Sequence, residues 1–264
     1  MEMRAAPGEA TRTALTVTLF PRETIATVGV APLTSMYLKG PLRASVSDDF
    51  RPRVHDSDVL FIENGAGERL WRPVSNPATL QTSAFADDGP RAFGLWQTAR
   101  RFADFEDAEA RYHSRPSAVV RPRDDWGRGA VMLVEIPTGD EFMDNIVAFW
   151  RPEAPLRAGS EHAFAYDIDW TGSPPPQDMP ARMLQTRSGR QHDRPGTLRY
   201  VVDFAADPGG LTPDLSVSGQ GAEVSGLTLF GLPKGGGMRV SFLLTPGPAT
   251  AAELRLVLRD GQGR

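Results

Sequence analysis

Short runs in which apolar and polar residues alternate recur along this chain, and they predict β-strands over most of its length. Residues 13–20 are a clear example, because Leu15, Val17 and Leu19 alternate with threonines. Turn residues separate the runs, and Asn64-Gly65-Ala66-Gly67 predicts a hairpin. We expect strands at 13–20, 24–30, 60–63, 69–72, 81–85, 93–97, 118–120, 129–136, 146–150, 161–170, 197–204, 211–218, 223–232, 238–244 and 254–258.

Residues 102–112 are the best helix candidate in the chain. The segment is acidic at its start, with Asp104, Glu106 and Asp107, and carries Arg111 near its end. This distribution of charge complements a helix dipole. Elsewhere the 26 glycines and 23 prolines favour short strands joined by turns. The fold class predicted by the sequence is therefore all-β.

Two domains are expected, joined by a stiff linker. Residues 151–155 read Arg-Pro-Glu-Ala-Pro, and two prolines so close together predict a connection at 151–160. We therefore place a first domain at 1–150 and a second at 161–264. A polar, Pro-rich connection is expected at 173–195, and the regularly spaced short strands after it are typical of an immunoglobulin-like sandwich.

Composition excludes several classes of protein. The chain has 264 residues, and 40% of them are apolar, enough for a substantial core. The net charge of -4 gives no indication of nucleic-acid binding, and no run of 18 apolar residues predicts a membrane span. The absence of cysteine excludes disulfides and thiolate-bound metals. Residues 1–10 lack the apolar segment of a secretory signal.

Two loops rich in carboxylates carry the candidate chemistry. Residues 47–58 read SDDFRPRVHDSD and fit no helix or strand period, and residues 137–145 form a second charged loop. Hydrolysis of a glycosidic bond needs a proton donor and a base. Asp56 or Asp58 from the first loop and Glu141 or Asp144 from the second could supply them. The alternative is a solvated loop with Asx turns.

Aromatic residues near both loops suit a glycan, whose C–H faces pack on aromatic rings. The rings concerned are those of Tyr37, Trp71, Phe85, Trp96 and Trp126, and each could equally belong to the core. His55 is isolated in sequence from the other histidines, which favours a hydrogen-bonded loop residue over a metal ligand. Ser57 lacks the sequence context of a hydrolase nucleophile.

Eight stretches in the same order give the chain a family resemblance. The most distinctive are DFRPRVHDSD at 49–58, DWGRGAV at 125–131 and DNIVAFW at 144–150. The chain resembles the periplasmic glucan biosynthesis proteins G and D. The full set of stretches is 31–37, 49–58, 71–73, 92–95, 106–112, 125–131, 135–138 and 144–150.

The resemblance implies a fold, a substrate class and roles for residues. It implies a large β-sandwich of galactose-mutarotase type followed by an immunoglobulin-like domain, a periplasmic location, and action on a β-1,2-glucan by inverting hydrolysis or transglycosylation without a cofactor or metal. It implies Asp144 as the general acid, Asp56 as the carboxylate that draws a proton from water, and Glu141 as a third carboxylate. The residues that we expect to contact the glucan are Tyr37, Arg51, His55, Asp58, Trp71, Arg72 and Trp126.

A second interpretation is a non-catalytic module that binds the glucan and assists a membrane glucan synthase. Members of the family also carry a long N-terminal half of the sandwich and a signal peptide, which are absent from this chain. We therefore expect a partial protein that is inactive by itself. We also expect the strands at 13–20 and 24–30 to lack partners, which would leave the first domain unstable.

Overall fold

The computed structural model describes residues 1–5, 8–42, 48–172, 181–206 and 209–261. Ser47 of the charged loop and residues 173–180 of the predicted connection lie outside the described residues. The described chain forms two compact units, the first from residues 1–40 and 48–172 and the second from 41–42 and the residues after 180. Strands dominate both units, which confirms the predicted all-β class.

The first unit contains thirteen strands among its described residues. They are β1 (Glu2–Arg4), β2 (Thr11–Leu19), β3 (Val30–Ser35), β4 (Tyr37–Lys39), β5 (Val54–His55), β6 (Val59–Glu63), β7 (Arg69–Pro73), β8 (Gln81–Asp88), β9 (Ala92–Trp96), β10 (Ser117–Pro122), β11 (Arg128–Glu135), β12 (Ile146–Pro152) and β13 (His162–Thr171). A seven-stranded sheet has the order β1-β2-β13-β10-β9-β6-β7, and a four-stranded sheet has the order β3-β12-β11-β8. The short strands β4 and β5 pair with each other.

The core of the first unit lies between its two large sheets. Leu60, Phe93 and Val120 come from the seven-stranded sheet, and Leu133 and Trp150 come from the four-stranded sheet. All five side chains are buried in one apolar cluster. This arrangement is a two-layer β-sandwich, in which each sheet hides one apolar face against the other.

The second unit contains six strands among its described residues. They are β14 (Arg182–Arg190), β15 (Leu198–Ala205), β16 (Thr212–Ser218), β17 (Glu223–Gly231), β18 (Met238–Thr245) and β19 (Glu253–Arg259). One sheet has the order β14-β15-β18-β17, and β16 pairs with β19. Met238, Val240, Phe242 and Leu244 alternate along β18 and are all buried, which anchors this sheet.

Most of the predicted strands are present, and the hairpin at 60–72 is confirmed by the pairing of β6 with β7. The segment 24–30 differs, since it forms only an isolated bridge between Ile25 and Leu156, and the strand begins at Val30. The expectation that the strand at 13–20 lacks partners is wrong, because β2 pairs with both β1 and β13. The predicted connection at 173–195 also contains β14, a strand that is polar along most of its length and that shows no apolar alternation.

The two units divide later in the chain than the predicted linker at 151–160. Residues 161–170, assigned by sequence to the second domain, form β13, which pairs with β2 and β10 inside the large sheet of the first unit. Phe164 and Tyr166 of this strand lie in the core of that unit. The two prolines of 151–155 therefore mark a turn within a unit. Proline interrupts hydrogen bonding locally but carries no information on which sheet the next strand joins.

The predicted helix at 102–112 is wrong. Only one-turn 3-10 helices occur there, at Phe102–Asp104 and Tyr112–Ser114, and a third lies at Pro233–Gly235. Oδ1 of Asp107 accepts hydrogen bonds from three successive backbone N–H groups, those of residues 109–111, at 2.6–3.2 Å. Those groups are then no longer available to bond helical carbonyls, and Arg111 adopts a φ of 55°. In the part of the chain that the structure describes, no helix has the length and apolar character needed to cross a membrane.

Candidate functional site

Arg51 joins three separate segments of the first unit. Its guanidinium donates to Asp107 at 2.7 Å and to Glu141 at 2.8 Å, which come from the segment 102–114 and from the second charged loop. It also donates to Asp49 within its own loop at 2.7 Å. Tyr112 completes the cluster by donating its hydroxyl to Glu141 at 2.6 Å. The structure thus brings the two predicted loops together and adds a third segment.

The charges in this cluster favour the ionised forms of its carboxyl groups. Hydrogen bonds from Arg51 lower the pKa of Asp49 to about 2 and also lower the pKa of Glu141. Burial acts to raise the pKa of Asp107, but Arg51 and the backbone N–H groups outweigh it and the pKa is lowered. Glu141 is therefore a fixed anion that positions its loop, which suits a binding or positioning group better than a proton donor.

Asp56 lies in a different environment from these ion-paired carboxylates. Its side chain is a quarter exposed, and its Oδ1 is shielded from solvent and has no hydrogen-bond partner among the described residues. Arg115 is the nearest cation, with 3.6 Å between its Nε and that oxygen. Burial raises the pKa of Asp56, the nearby charge of Asp144 raises it further, and Arg115 opposes both. Asp56 is therefore a comparatively basic carboxylate with an unused oxygen.

Asp144 is exposed and stands close enough to Asp56 for its charge to act on that group. Oδ2 of Asp144 accepts a hydrogen bond from the Thr34 hydroxyl of β3 at 3.2 Å. The backbone N–H of Asp56 donates to the carbonyl of Met36, immediately after the same strand, at 2.9 Å. The two predicted carboxylates are thus both anchored at one end of β3, although they come from different loops.

Asn145 fixes the end of the second loop. Its side chain is fully buried, accepts a hydrogen bond from the backbone N–H of Tyr37 at 2.7 Å, and donates to the carbonyls of Tyr37 and Ile136, both at 3.0 Å. Because Asn145 follows Asp144 directly and leads into β12, these bonds set the position at which the Asp144 backbone leaves the sheet.

His55 is a core residue rather than a metal ligand. Its ring is fully buried, stacks on Tyr37 with centroids 5.1 Å apart, and meets the edge of Phe105. The amide nitrogen of Gln97 donates to the carbonyls of His55 and Tyr112, so its oxygen faces Nδ1 of His55 at 2.8 Å. That geometry assigns the proton to Nδ1, and burial lowers the pKa of His55 to about 4.

Four other predicted site residues make hydrogen bonds or packing contacts with neighbouring protein residues. Asp58 accepts hydrogen bonds from the backbone and hydroxyl of Thr98, and Arg72 donates to the buried Glu135 at 3.0 Å. Trp71 packs against Phe61 and Trp96. Trp126 is only 6% exposed. Its ring lies in the core cluster and its indole N–H donates to Asp124 at 2.7 Å, so these contacts give Trp126 a structural role, and its contact with a glucan stays a prediction.

Sequence reasoning missed several residues that complete the site. Asp107 and Tyr112 were assigned to a helix, whereas Thr34, Arg115 and Asn145 received no role. Only Asn145 had a local signal, because a polar residue between Asp144 and the apolar run of β12 requires buried hydrogen-bond partners. The other contacts join residues distant in sequence, and no local pattern reports them.

Comparison with known proteins identifies the family. A sequence profile described as "Periplasmic glucan biosynthesis protein, MdoG" matches residues 1–264. A protein named "Glucans biosynthesis protein G" from Vibrio cholerae serotype O1 is 46% identical over 263 residues, which is 98% of this chain and 48% of that protein. Proteins of the same name from Shewanella frigidimarina and, as "Glucans biosynthesis protein G 1", from Shewanella oneidensis are 43% and 42% identical over 96% of this chain.

The chain spans about half the length of these curated relatives. The similarity nevertheless covers nearly every residue of this chain and includes both loops of the site described above. The chain therefore belongs to the periplasmic glucan biosynthesis protein family.

Proposed function

We propose that this chain contributes to periplasmic glucan biosynthesis by binding a β-1,2-glucan at the site around Asp56 and Asp144 and, within the whole protein, cleaving or rearranging it with inversion. The observation that carries the proposal is the pairing of these two aspartates at the end of β3, one exposed and one largely shielded, with an electrostatic effect of one on the other. Glycosidases use two carboxyl groups in different environments for two different proton transfers.

The family resemblance implies a different role for each carboxyl group. Asp144, which is exposed and oriented by Thr34, protonates the oxygen of the leaving sugar. Asp56, whose raised pKa makes it a stronger base once ionised, accepts a proton from the attacking water, directly or through a relay. The water adds to the anomeric carbon as the glycosidic bond breaks, and the configuration at that carbon inverts.

The cluster around Arg51 positions the substrate rather than transferring protons. Arg51 and Glu141 present charged groups that are already fixed by one another, so they bind sugar hydroxyls with little further loss of side-chain freedom. In this proposal Tyr37 and His55 do not touch the glucan. Their stacked rings are buried and support the backbone of the loop instead.

The test is incubation with linear β-1,2-glucan, followed by measurement of new reducing ends and of the anomer first released. It is run on this chain and on the full-length Vibrio cholerae relative, with Asp144→Asn and the equivalent change in the relative. We expect Asp144→Asn to reduce cleavage by about 10²–10⁴-fold while binding is largely kept, because the acid acts on the transition state. Cleavage within about tenfold of the unmodified relative would exclude the acid role.

A substrate with a better leaving group separates the acid from the base. Fluoride departs without protonation, so a β-1,2-linked glucosyl fluoride should restore turnover in Asp144→Asn but not in Asp56→Asn. If the fluoride restores turnover only in Asp56→Asn, then Asp56 is the acid and Asp144 is the base. If the full-length relative binds the glucan and releases no new reducing ends, the non-catalytic module that assists a membrane synthase becomes the better account.

A further inference from the structure

Arg115 occupies a defined position beside Asp56. It follows the one-turn helix Tyr112–Ser114 directly, and its backbone N–H donates to the Tyr112 carbonyl at 3.0 Å. Its guanidinium lies over the Tyr112 ring at 5.6 Å and donates from Nε to the carbonyl of Ala110 at 3.3 Å. The side chain is 47% exposed, yet these contacts hold Nε within 3.6 Å of Oδ1 of Asp56.

The groups that face Asp56 come from three sides of the site. Asp144 comes from the second charged loop, Arg115 and Tyr112 come from the segment that ends at 115, and the backbone of Met36 comes from the end of β3. Tyr112 is neutral, and its pKa is raised by burial, by its hydrogen bond to Glu141 and in smaller part by the charge of Asp56. Among the described groups that shift the pKa of Asp56, Arg115 is the only cation.

We propose that Arg115 is a positioning residue that keeps Asp56 ionised, so that this carboxylate can accept a proton from the attacking water. The inference rests on the proposed function for its consequence in catalysis, but the interaction itself belongs to the folded chain. A carboxylate that is largely shielded from water and placed beside a second carboxylate gains a proton readily, and a neutral Asp56 cannot act as a base.

The long distance between Arg115 and Asp56 leaves the carboxylate able to act as a base. At 3.6 Å, Nε of Arg115 is too far from Oδ1 to make a strong hydrogen bond, so it stabilises the anion without occupying a lone pair. Because Oδ1 is shielded from solvent, the proton from water reaches the carboxylate at its other oxygen or through a relay. A short bidentate pair, such as the one that Arg51 makes with Glu141, would instead occupy both oxygens and weaken the base.

The decisive experiment measures the ionisation of Asp56 without reference to activity. The 264-residue chain is labelled with ¹³C at the aspartate carboxyl carbons, the Asp56 signal is assigned by its loss in Asp56→Asn, and its chemical shift is followed against pH. We expect Arg115→Gln to move the Asp56 midpoint to higher pH. Arg115→Lys, which keeps the charge, should titrate like the unmodified chain.

Arg111→Gln is the matched control, because it removes the same charge from the same segment and Arg111 is exposed. It should leave the Asp56 midpoint unchanged. Arg115→Met keeps the aliphatic stem over the Tyr112 ring and provides a second neutral variant if the glutamine variant fails to fold. An unchanged midpoint in the folded neutral variants, or an equal rise in Arg115→Lys, would overturn the inference.

A kinetic measurement then connects the ion pair to catalysis. In a full-length relative that carries an arginine at the position matching Arg115, exchange of that arginine for glutamine should move the acidic limb of the pH–rate profile to higher pH, with less effect on the rate well above that limb. A relative without glucanase activity would refute the proposed function and leave the NMR result standing. A midpoint that does not move would refute the role of Arg115 even in an active enzyme.

Discussion

Protonation of His55 should destabilise the first unit within a defined pH window. The imidazole is fully buried, its Nδ1 proton faces Gln97, and its Nε2 has no hydrogen-bond partner in the described part of the chain. A proton added at Nε2 would therefore place a charge in the core between Tyr37 and Phe105. Burial lowers the pKa from 6.5 to about 4 for this reason.

The sign and size of the effect follow from linkage. Between pH 6.5 and pH 4 the unfolded chain binds the proton and the folded chain does not, so stability is fully present above this window and is lost as pH falls through it. The complete loss is roughly 3 kcal/mol, and about 2.5 kcal/mol of it is expected by pH 4.5. That is a large fraction of the roughly 5–15 kcal/mol that stabilises a typical domain.

Urea unfolding followed by tryptophan fluorescence measures this loss in the first unit alone. All five tryptophans lie between positions 71 and 170, so the signal does not report on the second unit. The quantity of interest is the free energy of unfolding at pH 7 minus that at pH 4.5, compared between the unmodified chain and His55→Gln. Carboxylate titrations contribute to both chains and cancel, and the difference should be smaller in His55→Gln by about 2 kcal/mol.

The exposed His192 provides the control, since His192→Gln should leave the pH dependence unchanged. If His55→Gln loses as much stability between pH 7 and pH 4.5 as the unmodified chain, within about 0.5 kcal/mol, the buried imidazole does not resist protonation and the reasoning fails.

Two further changes test the packing of the site. Arg51→Met should lower the free energy of unfolding of the first unit by about 3 kcal/mol, because it removes the cation that three carboxylates share. Arg101→Met, which breaks a pair whose arginine is exposed, should have little effect. Equal losses in the two variants would show that the cluster is not stabilising. In Gly40→Ala the new Cβ would collide with the Tyr37 hydroxyl, so we expect a loss of about 1–3 kcal/mol in the free energy of unfolding. Gly139→Ala, whose new Cβ would have no atom within 4 Å, is the matched control. Similar stabilities for the two alanine variants by urea titration would contradict the close packing around Tyr37.

Local chemistry accounts for the parts of the fold that the sequence predicted well. The hairpin at 60–72 was predictable because its strands are neighbours and its turn residues specify the connection. The segments at 81–85 and 93–97 look equally like a hairpin, but β8 pairs with β11 in one sheet while β9 pairs with β6 and β10 in the other. No local signal distinguishes these outcomes, because the choice depends on partners far away in the chain.

In the candidate site, too, local features could be predicted from the sequence and long-range contacts could not. The two charged loops and the chemical types of their residues could be predicted from sequence, and the structure brings the loops together. The helix predicted at 102–112 failed because Asp107 bonds its own backbone and is itself held by Arg51, 56 positions away. The burial of Trp126 could not be predicted, because an aromatic residue beside a charged loop can face either the core or the solvent, and alternation gives no information within a turn.

Residues at the end of β3 hold both aspartates of the proposed site, so a substitution in this strand can affect the stereochemistry of the proposed reaction. Thr34 orients Asp144 through its hydroxyl, and Met36 holds the backbone of Asp56, so two residues that lie two positions apart hold both carboxyl groups in place. In glycosidases that separation decides whether water enters opposite the leaving group or a glycosyl-enzyme forms first. Under the proposed function, a substitution at Thr34 or Met36 would change which anomer is released, with both aspartates left intact.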